Sequence, residues 1–144
     1  MSDQEVDALR PILVDTNVFS RAYLPKRRAP SNDWVDRLFG RTLTVAVQTV
    51  VELRSGARMA GWGDRKIAEL EAWLGAVQVI PVTDRVQASY VDLTAWARAH
   101  GHAIHDKPHV ADRWIAASAM AWELELASDD GIFDGIDGLR RLAP

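Results

Sequence analysis

The sequence predicts a single α/β domain built on a mostly parallel sheet, and three observations predict it. Short apolar, β-branched runs alternate with longer segments whose apolar residues recur at helical spacing. The 144 residues suffice for one domain with a proper core and are too few for two. Two acids, Asp15 and Asp112, fall inside apolar stretches. A carboxylate there is costly unless it is paired or bound to a metal.

The elements follow in order. Residues 1–10 form a polar lead-in. Pro11-Ile12-Leu13-Val14-Asp15 reads as a short buried strand, and Asn17 to Leu24 as a short helix stopped by Pro25. Lys26-Arg27-Arg28 lies in the loop to Pro30, and Ser31 caps a helix from Asn32 to Phe39 that ends at Gly40. Leu43 to Val47 is β-branched and strand-like. Helices are predicted over Thr49 to Met59 and Asp64 to Leu74, then a strand at Gln78-Val79-Ile80. Thr83 caps a long helix to His100, with Val86, Tyr90, Leu93 and Ala97 as its inner stripe. Pro108 opens a helix that carries Asp112 and is apolar almost all round, hence central. Leu124 to Ser128 is the last clear strand, and Asp129 to Gly138 holds turns and one helical turn.

Composition narrows the function. Hydrophobic residues make up 48% and charged residues 26%, which excludes a chain disordered throughout. A net charge of -3 and a pI near 5.8 lack the basic excess of a general nucleic-acid binder. They leave room for a nucleic-acid enzyme whose basic groups are local. The absence of cysteine excludes a disulfide framework and a thiolate site, and fits a cytoplasmic protein. The acidic residues 1–10 lack the apolar core of a signal peptide, and nothing approaches the roughly 18 apolar residues of a membrane helix. No membrane association is expected.

Four acids stand out by position. Asp15 ends the first strand and Asp130 follows the last, and open parallel sheets build their sites in the crevice beyond those ends. Asp112 shares a helix face with Ile115, Ala116 and Ala119. Glu52 has Ser55 and Gly56 one turn on, a small face that leaves room for a ligand, with Val50, Leu53 and Ala57 on the apolar side. Each acid also has an ordinary use: Asp15 as a helix cap, Glu52 as a first-turn acid, Asp130 as a turn residue, Asp112 in a buried pair with Arg113 or another base. Together they are harder to dismiss. Carboxylates about 4 Å apart repel by about 4 kcal/mol at an effective dielectric near 20. Such a cluster raises its own pKa values or captures a cation. Oxygen ligands of high charge suit Mg²⁺ or Mn²⁺ rather than zinc. The implied chemistry is phosphodiester hydrolysis.

These motifs resemble the PIN-domain family, and within it the VapC-type toxins of prokaryotic toxin–antitoxin pairs. The likeness runs from Ile12 to about Phe133. It is carried by Ile12-Leu13-Val14-Asp15-Thr16-Asn17, Val50-Val51-Glu52-Leu53, Asp112-Arg113-Trp114-Ile115-Ala116-Ala117-Ser118-Ala119 and Ser128-Asp129-Asp130-Gly131-Ile132-Phe133. The resemblance implies a PIN-like domain over 11–144, an α/β/α sandwich with a short, mostly parallel central sheet. It further implies a Mg²⁺- or Mn²⁺-dependent endoribonuclease, a homodimer, and neutralisation by a cognate VapB-type antitoxin. Asp15, Glu52, Asp112 and Asp130 would hold the metal or its waters, with the hydroxyls of Thr16 and Ser128 beside them. Asp129 adjoins Asp130, and the spacing to Phe133 favours Asp130.

Other features have competing uses. Lys26, Arg27, Arg28, Arg54 and Arg58 could contact RNA or an antitoxin, or simply face water. The four histidines at 100, 102, 105 and 109 could line a substrate rim or belong to a solvated loop; Pro108 argues against a shared zinc-binding face. Trp34, Trp62 and Trp73 are candidates for a partner surface. The rival functions are a catalytically inactive RNA- or protein-binding module of the same fold, and a phosphoacceptor domain. The latter requires a second acid beside the first-strand aspartate, where this chain has Thr16-Asn17.

Overall fold

The computed structural model describes residues 2, 10–24 and 33–142. Five strands form one sheet: β1 (Ile12–Val14), β2 (Leu43–Ala46), β3 (Gln78–Ile80), β4 (Glu125–Ala127) and β5 (Arg141–Leu142). Their order is β3-β2-β1-β4-β5, and every pairing is parallel. Among the described residues, six α-helices accompany them: α1 (Thr16–Tyr23), α2 (Asp33–Leu38), α3 (Val47–Met59), α4 (Asp64–Gly75), α5 (Asp84–Ala99) and α6 (Val110–Ala121). Short 3₁₀ turns occupy Ala103–His105, Lys107–His109 and Gly131–Phe133.

The alternation of β1 sorts the core into two layers. Leu13 points to one face and packs with residues of α5 and α6, including Leu93, Ala97, Ile115 and Ala119. Ile12 and Val14 point to the other and pack with Phe19, Leu38, Val50 and Leu70 from α1 to α4. Helices therefore cover both faces, as the α/β/α expectation has it. All three β1 residues are completely buried. Each contributes about 1.5–3 kcal/mol by leaving water, which makes β1 a rigid mount for Asp15.

Chain order explains where the crevice lies. From β1 the chain moves to β2 and β3 on one side, then returns through α5 and α6 to β4 on the other side of β1. The direction reverses between β1 and β4, which opens a cleft beyond their carboxyl ends.

The structure departs from expectation at four places. The first helix begins at Thr16, not Asn17, because Asp15 serves as N-cap and accepts the Val18 amide at 2.8 Å. The helix expected from Thr49 begins at Val47, since β2 runs straight into it without a side-chain cap. Pro108 lies in the 3₁₀ turn ahead of α6 rather than inside that helix. β5 was not expected at all. Ser31, Lys26, Arg27 and Arg28 lie outside the described residues.

Candidate active site

Asp15 is the fixed point of the site. Its residue surface is only 4% exposed. Oδ1 accepts the Val18 amide at 2.8 Å, and Oδ2 accepts the Ser128 hydroxyl at 2.5 Å. Ser128, fully buried at the end of β4, in turn accepts the Asp130 amide on its Oγ at 3.1 Å. Thus β1 and β4 are stitched together at their carboxyl ends by a chain of bonds running from Asp15 through Ser128 to Asp130. Burial pushes the Asp15 carboxyl above the usual carboxylate range. The bonds from Ser128 and Val18 oppose that rise, and the negative charges of Asp129 and Asp130 add to it.

The other two acids arrive on helices. Glu52 stands on the second turn of α3 with much of its surface exposed. Partial desolvation raises its carboxyl, the Thr16 hydroxyl holds it down, and Asp112 and Asp15 push it up again. The Thr16 and Thr49 hydroxyls lie 3.0 Å apart, Thr49 being fully buried one turn before Glu52. Asp112 is on the first turn of α6. The helix is central, as its composition predicts, with Ile115, Ala116, Ala117 and Ala119 buried. Asp112 itself is not buried: its side chain is 28% exposed at the rim and meets His109 Nδ1 at 3.0 Å. Of the bases expected to pair with it, the partner is His109 at the rim and not Arg113. Adjacent helix residues diverge by roughly 100°, and buried Arg113 turns inward to donate to the Tyr90 hydroxyl and the carbonyls of Ile104 and His105.

Charge links the acids in pairs: Asp129 and Asp130 act on Asp15, and Asp112 and Asp15 act on Glu52. Among the described residues, no three acidic or histidine side chains close into a ready coordination shell. Asp129 and Asp130 are distinguished by their partners. Asp129 pairs with Arg21 of α1, whereas Asp130 Oδ1 accepts the Ile132 amide and caps the 3₁₀ turn. The donor set fits a hard cation: it offers only oxygens, each Asp15 oxygen keeps a free lone pair after its single bond, and two carboxyls are raised by desolvation and mutual repulsion.

Several residues here escaped sequence reasoning. Thr49 was signalled only by its one-turn spacing from Glu52. His109 was grouped with the histidine loop, and Arg21 and Arg141 had no sequence signal. Three of the histidine rings bond backbone carbonyls: His100 to Trp96 at 2.8 Å, His102 to Asp134 at 2.7 Å and His105 to His102 at 2.8 Å. Arg54 makes a two-pronged pair with Glu71, both bonds at 2.8 Å. With Arg58 it lines a groove of about 380 Å³ between α3 and α4. Trp34 is buried and unsuited to a partner surface, Trp62 is half-buried, and Trp73 is partly exposed against Tyr23.

Fold and site together define a parallel α/β domain with carboxylates set around a topological switch point. The PIN domain family matches residues 12–139. Toxin FitB of Neisseria gonorrhoeae is 32% identical over 88% of this chain and 93% of that protein. The VapC ribonuclease Y4jK of Sinorhizobium fredii is 31% identical over 83% of this chain and 86% of its own length. The crystal structure of FitAcB from Neisseria gonorrhoeae superposes with a TM-score of 0.74 at 29% identity, covering 92% of this chain and 97% of that one. The chain belongs to the PIN-domain family. No helix among the described residues is long and apolar enough to cross a membrane.

Proposed function

We propose that this protein is the endoribonuclease toxin of a toxin–antitoxin pair. The observation that carries the reading is the acid crevice itself: Asp15 locked to Ser128 at the β1–β4 switch point, with Glu52 of α3 coupled both to Asp15 and to Asp112 of α6. The likeness to a protein named as a VapC ribonuclease and to another named as a toxin supports the same reading.

Asp15, Glu52, Asp112 and Asp130 would hold Mg²⁺ or Mn²⁺. When bound, such a cation supplies activated water and offsets charge on the phosphate. The protein's own contribution is placement. Ser128 and the Val18 amide fix the Asp15 carboxylate in one orientation. Thr16 holds the Glu52 carboxylate toward its ionised form. His109 orients Asp112 from the rim. One of these carboxylates, where the cation does not engage it, would accept a proton from the attacking water, and the RNA oxygen that leaves phosphorus would take up a proton in turn. Arg21 and the polar hollow it forms with Asn17, Ser20 and Asp129 offer a place for an RNA phosphate beside the acids.

The antitoxin, of VapB type, would use the α3–α4 groove, where Arg54 and Arg58 border the apolar Ile67 and Leu70. The working form is a homodimer in the cytoplasm. The test is cleavage of total cellular RNA by the purified protein, with Mg²⁺ or Mn²⁺ and with EDTA, beside Asp112→Asn. Discrete fragments that require both metal and Asp112 are expected. Intact RNA in every lane, together with no Mn²⁺ binding, would overturn the nuclease in favour of an inactive binding module.

A further inference from the structure

We infer that Arg141 is a positioning residue for the acid-bearing loop between β4 and β5. This rests on the nuclease reading of the crevice. Arg141 lies on β5, and its side chain is only 14% exposed. One nitrogen, Nη2, donates to the carbonyl oxygens of both Ser128 and Asp130 at 3.0 Å. The other, Nη1, pairs with the Asp134 carboxylate. One guanidinium thus grips three points along Ser128–Asp134.

The three points bracket the chemistry. The Ser128 carbonyl belongs to the residue whose hydroxyl orients Asp15, and the Asp130 carbonyl to the acid that caps the following turn. Within the loop, the Asp130 amide bonds Ser128 Oγ and the Ile132 amide bonds Asp130 Oδ1. Those bonds set the conformation that Arg141 fixes from behind. His102 Nε2, donating to the Asp134 carbonyl at 2.7 Å, secures the far end of the loop. The planar fork of arginine reaches several acceptors at once, which a lysine ammonium on a flexible stem does not reproduce. Arg141 touches none of the four acids' carboxylates in the crevice; it acts through the backbone that carries Asp130 and Ser128.

The experiment compares Arg141→Met, Arg141→Lys and Asp134→Asn with wild type. Three quantities are read: kcat and KM on an RNA the wild type cuts, thermal midpoint, and amide hydrogen exchange of the metal-free protein. Arg141→Met is expected to lower kcat about 10- to 100-fold with KM changed less than about threefold, because misplacing a catalytic group by about 1 Å costs rates of that order. Its Asp130 and Ile132 amides exchange about tenfold faster while those of Leu13 and Val45 keep wild-type protection. Arg141→Lys falls between, and Asp134→Asn stays near wild type because both carbonyl bonds survive. Unchanged exchange at Asp130 and Ile132 would overturn the inference, as would faster exchange everywhere, which signals lost stability alone. Should Arg141→Met fail to fold, Arg141→Lys decides by the same local exchange. Should wild type cut no RNA, the nuclease reading falls while the exchange comparison still tests the clamp.

Discussion

The crevice has two halves built in opposite ways. On the sheet side, Asp15 is buried, holds two hydrogen bonds and follows directly on the completely buried β1. On the helix side, Glu52 and Asp112 are partly exposed, and each is steadied by a single neighbour, Thr16 or His109. The first half resists movement, since shifting Asp15 means breaking the β1–β4 stitch. The second half can adjust by side-chain rotation at little cost. If these acids hold a cation, a rigid carboxylate opposite adjustable ones would suit one whose ligand shell changes as substrate binds.

The largest effects come from breaking either half outright. Asp15→Asn and Asp112→Asn are each expected to lower RNA cleavage by about three orders of magnitude, roughly 4 kcal/mol of barrier. Circular dichroism checks that both variants remain folded. Full activity in one variant would remove that half from the chemistry.

A medium effect follows from charge. Asp15 and Glu52 both have folded pKa values raised above the ordinary carboxylate range. The sign follows from linkage: their contribution to stability is fully present below the unfolded carboxyl values near 4 and is lost as pH rises through the raised folded values. At neutral pH the metal-free protein therefore carries repulsion that a bound cation would relieve. Saturating Mn²⁺ at about 100 times its Kd should stabilise by about 2.7 kcal/mol. That gain should shrink on acidification through the raised carboxyl values, because protons compete for the same oxygens. Thermal unfolding with and without Mn²⁺ from acid to neutral pH measures it. A gain independent of pH would separate the cation from these carboxyls.

The sheet half was more legible in sequence than the helix half, for a physical reason. Strand signals are local: Ile12 to Val14 and Gln78 to Ile80 are short apolar runs bounded by turn residues, and Asp15 and Asp130 follow from where strands end. The rim position of Asp112 depends on how α6 docks, which helical periodicity does not specify. Asp112 shares the face of buried Ile115, Ala116 and Ala119, yet on the helix's first turn its side chain stays partly exposed. β5 has only two residues, too few for any period, and exists because β4 offers the edge it pairs with. Arg141 therefore had no sequence signal. Arg113, beside Asp112 in sequence, was a plausible partner only while helix geometry was ignored.

The smallest expected effect sharpens the comparison most. Ser128→Ala and Thr16→Val each remove one hydroxyl that holds a site carboxyl down. Both should move the acid limb of the kcat/KM profile to higher pH, since each carboxylate loses a bond to its ionised form. The sizes should differ. Asp15 is dry, so nothing replaces the Ser128 hydroxyl; a bond to a charged group is worth about 1.5–3 kcal/mol, and one pKa unit is about 1.4 kcal/mol. A shift of about one unit follows for Ser128→Ala. Glu52 is reachable by water, which takes over the lost bond at little cost, so Thr16→Val should shift the limb by only a few tenths of a unit, about 0.5 kcal/mol or less. Rate–pH profiles of both variants decide it. Equal shifts would mean that the two carboxyls are equally dry, and the division into a fixed and an adjustable half would fall with that result.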